Sequence, residues 1–286
     1  MRLRSIPLLC LLLLALGACR SGVENDPILQ LSAEESLVQG KSWMEQGKYG
    51  KARDYLTHAF EVEPNSRTGR EALLLAADSY YLDGGVANFI QAEAKYRDFL
   101  NRFPTSEQAA YAQFQIANSL AKRISKPDRD QTATMNALQA YQDLMRLYPT
   151  SRYAEEAAEQ IKVVEENLAS HELVVGRFNY RFKNYRGAIE RLEGLTETYP
   201  GFSRLDEALY YLGQAYKESR DPKHWVQAEK TFDRLREEHP ESEFVAKIPD
   251  WELPEIPVER PEEAEEGGEA TAADGGDAAA NEGALR

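Results

Sequence analysis

The sequence predicts an all-α fold, a right-handed superhelical solenoid of about five helical hairpins stacked along the chain. Two observations lead there. Ala, Leu, Tyr, Glu and Arg dominate the middle of the 286 residues and β-branched runs are nearly absent, a composition that favours helices over strands. In addition, an Ala stands twelve residues before a Pro five times: Ala52 and Pro64, Ala92 and Pro104, Ala137 and Pro149, Ala188 and Pro200, Ala228 and Pro240.

The neighbours of each Ala keep a helical period. Four residues on stand Leu56, Tyr96, Tyr141, Leu192 and Phe232; seven on stand Ala59, Phe99, Leu144, Leu195 and Leu235. These positions share one helical face. The Ala lets a neighbouring helix approach and the larger residues fill the groove beside it. An aromatic precedes the Ala by three in four repeats (Tyr49, Phe89, Tyr185, Trp225), with Thr134 the exception. The Pro stops the helix. Such a helix is the second of a tetratricopeptide-like (TPR-like) hairpin, and Gly40, Trp43, Gly176 and Gly213 mark first helices.

The prolines are 40, 45, 51 and 40 residues apart, longer than the ~34 of a plain TPR. The excess belongs in the connections: Asp83-Gly84-Gly85 in the second hairpin and residues 123–131 with Pro127 in the third. Before the fourth, the surplus is about one helix, expected over residues 152–168. Some eleven helices are expected, from near Ser32 to near Glu238.

The ends carry other signals. Arg2 and Arg4 precede an apolar run, residues 6–15, shorter than the roughly 20 residues that span a bilayer. It ends in Leu16-Gly17-Ala18-Cys19, which resembles the lipobox of bacterial lipoproteins. The expectation is a signal peptide over residues 1–18 and a lipidated Cys19, with a tether over 19–31. Cys10 leaves with the signal, so no intrachain disulfide is expected. Arg20 replaces the Asp that retains many such lipoproteins in the inner membrane, which points to the outer membrane. N-terminal hairpins are expected over 32–148 and C-terminal hairpins over 149–248. A Pro-, Gly-, Ala- and Glu-rich tail over 249–286 has too little apolar bulk to fold, except that Trp251 is expected to cover the last hairpin.

Of the formal charge of −14, residues 250–286 contribute −10, leaving −4 for everything before them. A body so nearly balanced excludes nucleic acid as a partner. His58, His171, His224 and His239 have no metal-ligand spacing. Asp54 and His58 read as a surface pair, and Asp130 as a helix cap. No phosphate loop or nucleophile elbow occurs. No cofactor, metal or catalytic residue is expected, only the covalent lipid.

Several strings are specific. Tyr148-Pro149-Thr150-Ser151-Arg152-Tyr153-Ala154 has an earlier variant in Phe103-Pro104-Thr105-Ser106, and Asp128-Arg129-Asp130 sits in the long third connection. With Leu168-Ala169, Glu172, Val175, Tyr185, Ala188, Ile189 and Arg191, the chain resembles the BamD family of outer-membrane assembly lipoproteins over roughly 32–244. It departs at Phe182-Lys183-Asn184, where the family usually has Arg-Gly, at Gly176, where Ala is commoner, and in its acidic tail.

The resemblance implies a non-enzymatic periplasmic scaffold of the β-barrel assembly (BAM) machinery. Its C-terminal hairpins would hold a POTRA domain of the BamA-like barrel subunit, with Arg191 and Glu193 of the Arg191-Leu192-Glu193-Gly194 string at the contact. Its N-terminal hairpins would receive the C-terminal signals of unfolded outer membrane proteins. The expected groove offers Glu34, Leu37, Lys41, Met44 and Glu45, then Tyr80 and Tyr81, a mixed lining that suits an extended peptide. The alternative is another TPR lipoprotein scaffold, such as a secretin pilotin or a cell-envelope coordinator. Glycan-capturing and lytic lipoproteins need further domains for which this chain has no room.

Overall fold

A computed structural model of the chain describes residues 26–219 and 221–251. The expected signal segment, Cys19 and the tail beyond Trp251 lie outside the described residues.

Among these residues ten α-helices form and no strand. They are α1 (Ala33–Glu45), α2 (Tyr49–Val62), α3 (Arg67–Asp83), α4 (Val86–Arg102), α5 (Ala109–Ala121), α6 (Thr132–Leu147), α7 (Ala154–Arg181), α8 (Tyr185–Thr198), α9 (Leu205–Glu218) and α10 (Pro222–Glu238). Each packs chiefly against its neighbours in the chain, which bears out the helical TPR-like solenoid.

The repeated residues form the packing core. Ala52, Ala92, Ala137, Ala188 and Ala228 are all 0 % exposed, and the residues four and seven later are buried with them. The small position allows close approach, and the facing helix uses it. A Cβ at Gly40 would come 2.7 Å from Leu56, one at Gly176 2.6 Å from Leu192, and one at Gly213 2.5 Å from Phe232. In the second and third hairpins the buried Ala77 and Ala117 stand in the first helices.

The prolines act through the residue before them. Glu63, Phe103, Tyr148, Tyr199 and His239 all leave the helix with φ between −124° and −136° and ψ between 54° and 67°. The proline ring bars the α conformation to its predecessor. Each of these residues still donates its N–H to the carbonyl of the residue seven beyond the repeat Ala. The same stop therefore recurs at the end of every hairpin.

The helix count corrects the sequence expectation of eleven. The surplus before the fourth hairpin does form helix, but it is continuous with the next one as the 28-residue α7. No Pro interrupts residues 154–181, and Gly176 serves the contact with Leu192 instead of breaking the helix. Two apolar cores meet inside α7: one runs from Leu73 to Leu168, the next from Ala169 to Leu235. Trp251 is half-buried against the second, as expected.

The turns obey the local rules. Gly47, Gly84 and Gly85 have positive φ, where a side chain is disfavoured. Ser32 and Glu35 form a capping box on α1, with Ser32 N–H donating to the Glu35 carboxylate at 2.9 Å and Glu35 N–H to Ser32 Oγ at 3.2 Å. The Asp130 carboxylate accepts from the Thr132 N–H at 3.3 Å at the start of α6. His58 differs from its expected surface role: it is buried, with Nε2 3.1 Å from the carbonyl of Leu31, and ties α2 to the segment before α1.

Two helical glycines separate packing from propensity. Ala is the better helix former by roughly 0.5–1 kcal/mol, and Gly194 of α8 has no atom within 4 Å of a built Cβ. Gly194→Ala should therefore raise the thermal midpoint. Gly176→Ala should lower stability by about 1–3 kcal/mol through overpacking, because Leu192 is fully buried and has nowhere to move. Circular-dichroism melts of the two variants check the opposite signs.

Candidate protein-binding surfaces

Arg191 and Glu193 lie two apart on α8 and so face opposite sides of it. Arg191 reaches back to α7, where its Nη1 is 3.2 Å from Glu172 Oε2; 49 % of the side chain stays exposed. Glu193 reaches forward to α9 and accepts from the Tyr216 hydroxyl at 2.8 Å. Burial, then this carboxylate, push the Tyr216 phenol above its ordinary range. Glu193 also lines an open cavity of about 1090 Å³ with Lys183, Arg186, Glu190 and Glu218. Arg191 does not, so the two expected contact residues serve separate surfaces.

The N-terminal set divides as well. Leu37 is buried in the first hairpin's core and Met44 is half-buried against it, so neither gives a groove much surface. Lys41 is partly exposed and pairs with Glu71 of α3 at 2.5 Å; Glu34 and Glu45 are exposed. Tyr80 is half-buried under the Arg53 guanidinium, 4.4 Å from its ring, and Arg53 in turn meets Asp83 at 2.8 Å. Tyr81 packs on Phe89 with ring centroids 5.7 Å apart. Burial, then the charge of Glu156, raise its phenol.

Sequence reasoning missed a polar chain between the two halves of this region. Asp78 of α3 accepts from Tyr96 of α4 at 2.6 Å and Tyr111 of α5 at 2.8 Å. Gln115 donates to Tyr111 at 3.0 Å, Asn118 to Gln115 at 2.7 Å, and Tyr141 of α6 to Asn118 at 2.7 Å. The two tyrosines that replace an aliphatic residue four after the repeat Ala are the ends of this chain. They fill the groove and carry a hydroxyl across four helices. Also unforeseen was buried Glu207, held by Arg177 at 2.7 Å and Arg204 at 2.5 Å.

Asp78 gives a pH test. Burial raises its carboxyl, against the opposing pull of the two phenols. A folded-state pKa above the unfolded one favours the fold most below the unfolded pKa, and that share is lost as pH rises through the folded pKa. Asn is neutral at every pH and still accepts both hydroxyls. Urea denaturation across the carboxylate range should therefore show wild type gaining on Asp78→Asn as the pH falls; a constant difference would contradict this ionisation.

No helix among the described residues is long and apolar enough to cross a membrane. The family model described as YfiO, outer membrane lipoprotein, matches residues 30–219. The chain belongs to this family. A tetratricopeptide repeat model matches residues 207–242, the span of α9, α10 and Pro240. Relatives named "Outer membrane protein assembly factor BamD" bear out the resemblance. That of Rickettsia prowazekii (strain Madrid E) is 29 % identical over 71 % of this chain and 79 % of its own. That of Haemophilus influenzae is 26 % identical over 76 % and 84 %, and that of Neisseria gonorrhoeae 25 % over 85 % and 94 %. Among solved structures, the MamA protein is 18 % identical, with a TM-score of 0.36 over 78 % of this chain and 98 % of its own. The TPR2AB domain of yeast Sti1 is 12 % identical, with 0.40 over 73 % and 78 %.

Proposed function

We propose that the chain is a non-catalytic scaffold of outer membrane protein assembly, anchored in the outer membrane by lipid on Cys19 and facing the periplasm. Its C-terminal hairpins hold a POTRA domain of the barrel subunit. Its N-terminal hairpins receive the C-terminal signals of unfolded outer membrane proteins. The observation that carries this reading is the family match over residues 30–219, which takes in the N-terminal hairpins and the C-terminal ones as far as α9 and is joined by relatives named as assembly factors along most of their length.

The chemistry of each surface is compatible with its role. An exposed ion pair contributes little net stability, about 0–1 kcal/mol, so Arg191 can leave Glu172 for a partner's carboxylate without weakening the fold. Around Lys41, Tyr80 and Tyr81 the surface mixes charge with half-buried rings, which suits an extended peptide with alternating side chains.

Affinity capture from detergent-solubilised membranes tests the assembly role: a POTRA-bearing barrel protein should co-purify, and a secretin in its place would assign the chain to the pilotins. In the same assay Arg191→Glu should cut recovery of the barrel protein at least tenfold. Glu172→Gln, which frees Arg191, should keep recovery at or above the wild-type level.

A further inference from the structure

The long α7 outruns the hairpin before it. Up to His171 one of its faces is covered by the α5–α6 connection, where the carbonyl of Ser125 accepts from Asn167 at 3.3 Å and that of Pro127 lies 2.6 Å from His171 Nδ1. Beyond His171, at steps of three and four, the face carries Val174, Phe178 and Phe182. Their exposures are 37 %, 60 % and 66 %. The two phenylalanine rings meet, with centroids 4.6 Å apart, so they form one apolar knob. Scattered apolar residues on a surface are ordinary, whereas exposed apolar side chains gathered into one patch point to an interaction site.

Three cations adjoin the knob along the chain. Arg181, Lys183 and Arg186 are exposed, and among the described residues none of them forms an ion pair. Lys183 makes the turn to α8 at φ +60°, a left-handed conformation that costs a residue with a Cβ. The cavity next to it adds four carboxylates, Glu190, Glu193, Glu218 and Asp221, beside Lys183 and Arg186.

We infer that the α7–α8 corner is the anchor for a folded protein domain, one that offers an apolar pocket flanked by carboxylates. Aromatic anchors and arginine are enriched where interface energy concentrates, and the unpaired cations call for acidic groups opposite. An anionic lipid surface fits less well, because the apolar stripe covers only two turns of helix. The inference rests on the reading that the C-terminal hairpins hold a protein domain, and it names the residues that would anchor it.

The test uses the full chain in detergent and the purified POTRA region of the barrel subunit, with Kd measured by calorimetry. Phe178→Ser/Phe182→Ser should raise Kd at least tenfold with the melting midpoint unchanged or higher, since both rings are exposed. An unchanged Kd overturns the anchor and leaves the wider partner reading standing. No binding by the wild-type chain overturns both. A separate arm places Phe182→Trp in vesicles containing phosphatidylglycerol with brominated acyl chains. The result expected is no quenching beyond that of the parent chain; added quenching would assign the knob to lipid and overturn the inference.

Discussion

The close approach of paired helices over a small residue is the constraint on which the rest of the structure depends. Where the first helix presents Gly40, Gly176 or Gly213, the second presents Leu56, Leu192 or Phe232 at a distance that leaves no room for a methyl group. The repeat Ala beside it keeps the two backbones close, and the pre-proline residue ends the second helix in one fixed conformation. Together these set the geometry of each hairpin and the direction in which the chain enters the next. In the middle of the stack, where the large residue is Tyr96 or Tyr141, a hydrogen-bonded chain through Asp78, Tyr111, Gln115 and Asn118 adds a polar link across α3 to α6. A fully partnered buried network of this kind specifies one arrangement of helices, while an unpartnered group in it would be costly.

The candidate surfaces inherit their form from that frame. Because α8 is held rigidly between α7 and α9, Arg191 and Glu193 project to opposite sides and meet different neighbours. Arg191 sits in an exposed ion pair, so exchange of Glu172 for a partner's carboxylate is energetically small, whereas Glu193 holds the hydroxyl of the buried Tyr216. Glu207 is the reverse case: its carboxylate is buried and is held by Arg177 and Arg204, both of which stay partly exposed. Removing both arginines would leave that carboxylate buried and unpaired, which suits a role for the Arg177 pair in fixing α7 against α9.

What could be read from the sequence was whatever repeats. The five Ala–Pro intervals located five second helices, their buried face and their ends. Trp251 was legible because it is the one bulky ring in an otherwise apolar-poor stretch. The fusion of the surplus helix into α7 was not, since a 51-residue interval fixes the amount of extra chain and not where it bends. The Asp78 chain escaped because its members come from four helices and share no spacing. Leu37 shows the limit of a face assignment made from one helix: it lies among groove candidates in sequence, yet the packing of α2 and α3 buries it. Phe178 and Phe182 look like core residues in a helical pattern, and only the structure shows that among the described residues they are exposed.

The central contact is best tested by double-mutant cycles at Gly40 and Leu56, Gly176 and Leu192, and Gly213 and Phe232, pairing Gly→Ala with truncation of the large residue to Ala. If close approach sets the hairpin, each double variant should be more stable than the summed single effects by about 1 kcal/mol or more, because the added methyl enters the space that truncation opens. Additive effects at all three pairs would mean that the small residues do not govern helix approach, and would contradict the account.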